Sequence, residues 1–240
     1  MKRLALILVL LAASPAQAAT PRAGVVANVA QGKSLYAANC SRCHGTHGQG
    51  LRDQGPSLHD AGALGADFYI RTGYMPLDSP HVQPWRTRVL FSEQEIRSLV
   101  GYVATLGHGP AIPTPHWQNA SLPAGKKLFT DHCAGCHQIV IAGGVLPGAR
   151  IPALNAASPR QIAEAVRVGP YLMPKFSEKA ITPAQLNDLV AYVQYAKHPD
   201  DRGGLAIGHL GPWPEGMVTW LLATSVLVAM CLLIGRRLKT

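Results

Sequence analysis

The chain has 240 residues, a formal net charge of +9 and a hydrophobic share of 48%, with five cysteines and ten histidines. Five of its 22 basic residues, Lys2, Arg3, Arg236, Arg237 and Lys239, sit at the two ends; without them 17 basic residues face 13 acidic ones. No basic stripe with interleaved aromatics remains, which excludes nucleic-acid binding as the meaning of the charge and assigns the excess to sorting signals.

The first 18 residues read as a secretory signal peptide: Lys2 and Arg3, an apolar stretch from Leu4 to Ala13, then Ala16-Gln17-Ala18 as a small-residue cleavage site. Ten apolar residues are too few to span a bilayer. The mature chain is therefore expected to begin near Ala19 on the extracytoplasmic side.

Next comes Gly32-Lys33-x-Leu35-Tyr36, a short helix leading into CSRCH at 40–44. Cys-x-x-Cys-His is the attachment pattern of a c-type haem: two thiols bond the vinyl groups and the adjacent histidine reaches the iron. Cys40, Cys43 and His44 are thus cofactor-binding candidates. The same pattern returns as CAGCH at 133–137, naming Cys133, Cys136 and His137. A four-cysteine zinc site or a pair of disulfides leaves both histidines unexplained. Only Cys231 falls outside the pairs, in an apolar run where it reads as filler.

The surroundings repeat with the motif. Gly125-Lys126-x-Leu128-Phe129 precedes the second site as its counterpart precedes the first, and the sites lie 93 residues apart. Each copy closes on a capped amphipathic helix. Ser92 with Glu95, and Thr182 with Gln185, are capping boxes. Ile96, Leu99, Val100 and Val103 in one copy, and Leu186, Leu189, Val190 and Val193 in the other, form one apolar stripe each, expected to pack on Tyr36 and Phe129. A third helix runs from Ser158 to a stop at Gly169, with a fainter counterpart over 68–71 ending at Gly73. No segment shows sustained strand alternation, and the stretch 139–150 reads as an apolar, glycine-rich loop.

Outside the signal and the C-terminal apolar run there are two methionines, Met75 and Met173, 31 and 36 residues after His44 and His137. Each is followed by proline, which biases it towards extended backbone. His44, Met75, His137 and Met173 are accordingly the expected iron ligands, with His47, His59, His81 and His132 as rivals for the sixth position and core filling as the plain alternative for the methionines. His/Met ligation raises the potential and leaves no open site, which suits a carrier. The carbonyls of Pro56 and Pro152 are candidate acceptors for the proximal imidazoles. Each copy is small enough to lack a sufficient core without haem, so the haem-free chain is expected to be largely unfolded.

The C-terminal run from Met217 to Ile234 is 18 residues long, uncharged and flanked by Arg236, Arg237 and Lys239. It reads as a membrane span with its basic end in the cytoplasm. The expected organisation is a signal peptide 1–18, a first haem domain 24–107, a linker 108–120 within a stretch holding four prolines, a second haem domain 121–198, a linker 199–212, a transmembrane helix 213–235 and a tail 236–240.

On these motifs, together with Arg71-Thr72-Gly73-Tyr74-Met75-Pro76-Leu77, Gly169-Pro170-x-x-Met173-Pro174 and the tail from Gly208 to Gly216, the chain resembles the dihaem cytochrome c subunit of bacterial bcc-type quinol–cytochrome c reductases. The resemblance implies an all-α fold of two tandem class I cytochrome c domains followed by one C-terminal transmembrane helix. It implies two covalent haem c groups and single-pass anchoring in the cytoplasmic membrane, haem domains outside. It also implies partnership with a cytochrome b subunit, a Rieske iron–sulfur protein and a terminal cytochrome c oxidase. The activity implied is that of the reductase's electron-transfer subunit, with no bond chemistry of its own. Two other functions stay open: a tethered dihaem carrier for another dehydrogenase or a haem–copper oxidase, whose comparable subunit usually has an N-terminal anchor, and a dihaem peroxidase.

Overall fold

The computed structural model describes residues 27–82, 84–200 and 212–237. The signal peptide of the sequence reading and most of the linker 199–212 lie outside them. Described residues form nine helices and one small hairpin: α1 Val29–Asn39, α2 Ser41–His44, α3 Gly62–Arg71 and α4 Glu93–Val103; then α5 Leu122–His132, α6 Ala134–His137, β1 Gly144–Leu146, β2 Ala149–Ile151, α7 Pro159–Val168 and α8 Pro183–Ala196; and last α9 Pro212–Arg237.

Two hydrophobic clusters organise the helices. One gathers Tyr36 from α1, Ile70 from α3 and Ile96, Leu99, Val100 and Val103 from α4. The other gathers Phe129 from α5, Ile162 and Val166 from α7 and Leu186, Leu189, Val190 and Val193 from α8. Both stripes read from the sequence are buried, and both pack where expected: the Tyr36–Tyr102 and Phe129–Tyr192 ring pairs each stand 5.2 Å apart. Apolar faces with 3.6-residue periodicity have no other way to leave water.

The glycine shared by the two leading helices has a steric cause. A Cβ at Gly32 would sit 2.0 Å from the carbonyl oxygen of Ser98, and one at Gly125 would sit 2.0 Å from that of Asp188. At both positions the helices cross backbone to backbone, and only glycine allows that approach.

Helix starts follow the sequence closely. Ser92, Ser158 and Thr182 all form reciprocal capping boxes, and Ser121 and Asn28 cap α5 and α1. The stretch 139–150 departs from its reading as a loop: it supplies the antiparallel hairpin β1–β2, with Gly144 opposite Ile151. Three-residue strands are too short to show alternation, which is why the sequence pattern missed them. The proline-rich linker is also more tightly held than its composition implies. Pro110 accepts from the Leu64 amide, and Asn187 accepts from the His116 amide.

Helix α9 is longer than the expected span 213–235. Residues Gly216–Arg237 make a candidate transmembrane helix with none of its apolar stretch covered by the rest of the described chain. An uncovered helix of this composition is not a core helix, which leaves the bilayer as the solvent that suits it.

Candidate functional site: two Cys-x-x-Cys-His turns and their methionines

Each Cys-x-x-Cys-His segment is a short helical turn set off from the helix before it by its first cysteine, which caps both. The Cys40 amide donates to Tyr36 and the His44 amide to Cys40; the Cys133 amide donates to Phe129 and the His137 amide to Cys133. In helical geometry the second cysteine and the histidine stand three and four positions after the first, so all three side chains share one face. All five cysteines are free thiols, so no disulfide accounts for the pairs. Burial, and then the neighbouring thiol, pushes Cys40 and Cys133 up to about 11.

The imidazoles are oriented alike. Nδ1 of His44 lies 2.8 Å from the carbonyl oxygen of Pro56, and Nδ1 of His137 lies 3.2 Å from that of Pro152. A carbonyl can only accept, so Nδ1 carries the proton and Nε2 keeps its lone pair for a metal. Burial lowers the His137 pKa against the opposing pull of its Pro152 bond, which favours the neutral form a ligand needs.

The methionine segments are pinned by their own helices. The Met75 amide donates to Tyr69 at 3.0 Å. In the second copy the Met173 amide donates to Pro170, the Phe176 amide to Val166, and Arg167 Nη1 donates to the carbonyls of Phe176 at 3.1 Å and Ser177 at 3.0 Å. Nothing in the sequence flagged Arg167, because a cation that bonds carbonyls three turns away leaves no spacing signature. Among the rival histidines, His59 Nε2 is engaged by the His47 carbonyl, His47 Nδ1 meets the Thr46 hydroxyl, and His132 packs against Phe176. No described group of three or more His, Cys, Asp or Glu side chains is arranged to hold a metal ion. The zinc alternative therefore has no ligand set among the described residues.

Likeness to known proteins shows the family of this chain. The family described as cytochrome c oxidase, cbb3-type, subunit III matches residues 27–103 and again residues 120–193. The cytochrome bc1 complex cytochrome c subunit of Corynebacterium diphtheriae is 35% identical over 240 residues, covering 92% of this chain and 85% of that one. Its counterpart from Mycobacterium bovis is 35% identical over 215 residues, covering 86% and 77%. The chain belongs to the cytochrome bc1 complex cytochrome c subunit family. The cbb3-type cytochrome c oxidase subunit CcoP of Cereibacter sphaeroides is 40% identical, but over 90 residues and 33% of this chain.

A cytochrome c subunit carries haem c, and this chain fits that group. A cavity of about 870 Å³ opens in the second copy, bordered by Cys133, Cys136, His137 and Met173 and walled by Leu154, Ile162 and Leu189. Thiols, an imidazole with a free Nε2 and a thioether border one apolar cavity, and these are the side-chain types that a covalently attached haem takes. Part of the wall comes from the first copy: Phe68, Tyr74 and Trp85 reach the same cavity.

Proposed function

We propose that this chain is a membrane-anchored dihaem electron carrier, the cytochrome c subunit of a quinol–cytochrome c reductase. In this reading His44 with Met75, and His137 with Met173, ligate one iron each, and Cys40, Cys43, Cys133 and Cys136 form the thioethers. Bound there, haem c supplies a one-electron couple. The chain's own residues do the rest. Pro56 and Pro152 fix the imidazoles, the apolar walls of the second copy's cavity would surround the group, and the methionine loops would present a thioether to the iron.

The observation that carries the reading is the twofold recurrence of a Cys-x-x-Cys-His turn with a carbonyl-held imidazole in a chain of this family. The domain limits follow as 24–107 and 121–198, two class I cytochrome c domains in tandem, tethered by the helix 213–235. The basic end of that helix faces the cytoplasm and the haem domains face outward. Single electrons pass from a Rieske iron–sulfur protein through this chain to a terminal oxidase, with cytochrome b as the other neighbour. Purification in mild detergent tests the assignment. Cytochrome b and Rieske protein travelling with the chain support it; a haem–copper oxidase core in their place overturns it.

That second outcome defines the competing reading, a tethered subunit of a cbb3-type oxidase. The family model and the local likeness to the oxidase subunit favour it. The likeness stops at a third of the chain, whereas the bc1 relatives run through nearly all of it.

A further inference from the structure

Glu164 on α7 is 0% exposed, and neither of its carboxyl oxygens has a hydrogen-bond partner. A carboxylate buried without donors is among the most destabilising groups a protein can hold, and such a group escapes by keeping its proton. The group it faces is Asp67 on α3, 2% exposed, from the other copy. Both oxygens of Asp67 have a bonded donor. Arg71 donates to it twice, Nε to Oδ2 at 3.0 Å and Nη2 to Oδ1 at 2.9 Å, and Arg160 Nη1 stands 3.8 Å away.

Among the described residues, most nearby cations are bonded to other groups. Arg71 also pairs with Glu93 at the start of α4, and Glu93 is further bonded by Arg97. On the α8 side Lys197 donates to the carbonyl of Ala157 and to Gln194, and on α7 itself Arg167 is engaged by Phe176 and Ser177. Burial first, then the adjacent Asp67, pushes Glu164 up to about 9, against weaker opposing pulls from Arg160 and Arg71. A protonated Glu164 has an acceptor in Asp67; an ionised one faces that second carboxyl with no donor bonded to either of its own oxygens.

We propose that Asp67 and Glu164 form a one-proton site buried where the two copies meet, and that this proton is exchanged with solvent as the charge in the adjoining cavity changes. Neither carboxyl lines the cavity itself, but the residue after each does: Phe68 after Asp67 on α3, and Ala165 after Glu164 on α7. The proposal rests on haem occupying that cavity. One electron from a one-electron donor adds one negative charge there, one proton from water joins Glu164, and no other bond forms or breaks. Added negative charge strengthens proton binding, so reduction becomes harder as pH rises through the range where the oxidised protein has lost this proton.

The folding linkage has a definite sign. Glu164 is raised from 4.5 to about 9, so its contribution to stability is fully present below 4.5 and is lost as pH rises through about 9.

The test is a redox titration of the full-length, haem-loaded chain in detergent from neutral pH to well above 9, alongside reduced-minus-oxidised infrared difference spectra. The wild type is expected to show a pH-dependent potential in the second copy, approaching a tenfold change in the redox equilibrium per pH unit, and a protonated-carboxyl band. Glu164→Gln, which mimics the protonated form, should flatten the dependence and remove the band while leaving the visible spectrum unchanged. Asp67→Asn should move the sloping region to lower pH. An equal slope in Glu164→Gln, or a wild type with no carboxyl band, overturns the proposal. Mass spectrometry of the same preparation separates the two failures: a chain with fewer than two covalent haems sinks the haem reading, whereas a fully loaded chain with a flat potential sinks the proton site alone.

Discussion

The two copies solve one problem with different hands. In the first, Tyr36 from the leading helix donates its hydroxyl to the Gly45 carbonyl at 2.7 Å, tying down the residue that follows Cys-x-x-Cys-His. In the second, that position is Phe129, which has no hydroxyl. There Tyr192 from the closing helix donates instead, to the Ile139 carbonyl at 2.9 Å. The ring pair is kept, the donor has moved across it, and the acceptor has moved one residue further along the turn. A similar contrast holds at the methionine loops: the amide and hydroxyl of Thr87 both donate to the Gly73 carbonyl in the first, whereas a buried arginine braces the second. Repeats drift in sequence while the physical requirement, a rigid exit from the haem-binding turn, stays.

The largest break in this comparison is the loss of one attachment site. Replacing Cys133, Cys136 and His137 together by alanine should remove one haem of two by mass. It should also unfold the second copy, whose wall residues would line an unfilled cavity. The matching triple change at Cys40, Cys43 and His44 should remove the other haem. Covalent haem count and far-ultraviolet circular dichroism read both outcomes. Native-like helicity in the chain lacking both haems would end the idea that the group completes each core.

Equal effects are expected next, at the glycine crossings. Gly32→Ala and Gly125→Ala each drive a Cβ to 2.0 Å from a carbonyl oxygen, so the helices must separate. Overpacking of this kind costs about 1–3 kcal/mol. Thermal unfolding of the purified chain should show both, and a strong effect at one site with none at the other would break the equivalence of the two crossings.

Much of this symmetry was legible from residues alone. Both Cys-x-x-Cys-His turns, both capped stripes and the Pro56 and Pro152 carbonyls were readable, because each lies within one repeat and recurs in the other. The hairpin at 144–151 was not, since three-residue strands carry no period. Nor were Arg167 and the Asp67–Glu164 contact. Those interactions depend on how distant segments meet, and a lone charged residue within a helix reads as solvent-facing until its neighbours are known. The recurring glycine was visible as a motif, but its reason, a backbone–backbone crossing, was not.

Arg167 should separate the copies where the glycines unite them. Arg167→Leu removes two charge-assisted bonds from the loop that carries Met173, each worth about 1.5–3 kcal/mol in comparable settings. The near-infrared band of sulfur–iron ligation should weaken for the second haem and persist for the first. Loss of half the band intensity, with haem content intact, is the expected result. An unchanged band would mean that backbone bonds alone hold the loop.

The finest test removes single hydroxyls. Tyr36→Phe and Tyr192→Phe leave both ring pairs in place and delete one donor each, leaving the carbonyl of Gly45 or Ile139 without that partner. Each change should cost about 1 kcal/mol. The restoring change is more informative than either loss. Phe129→Tyr in the Tyr192→Phe background returns a hydroxyl to the position that holds it in the first copy. If the donor can sit on either helix, as the comparison of the copies implies, the double variant should recover the thermal midpoint lost by Tyr192→Phe. Failure to recover it, with the haem fully attached, would show that the second copy's exit turn has shifted out of reach of α5, so that the change of donor reflects geometry and not substitution history.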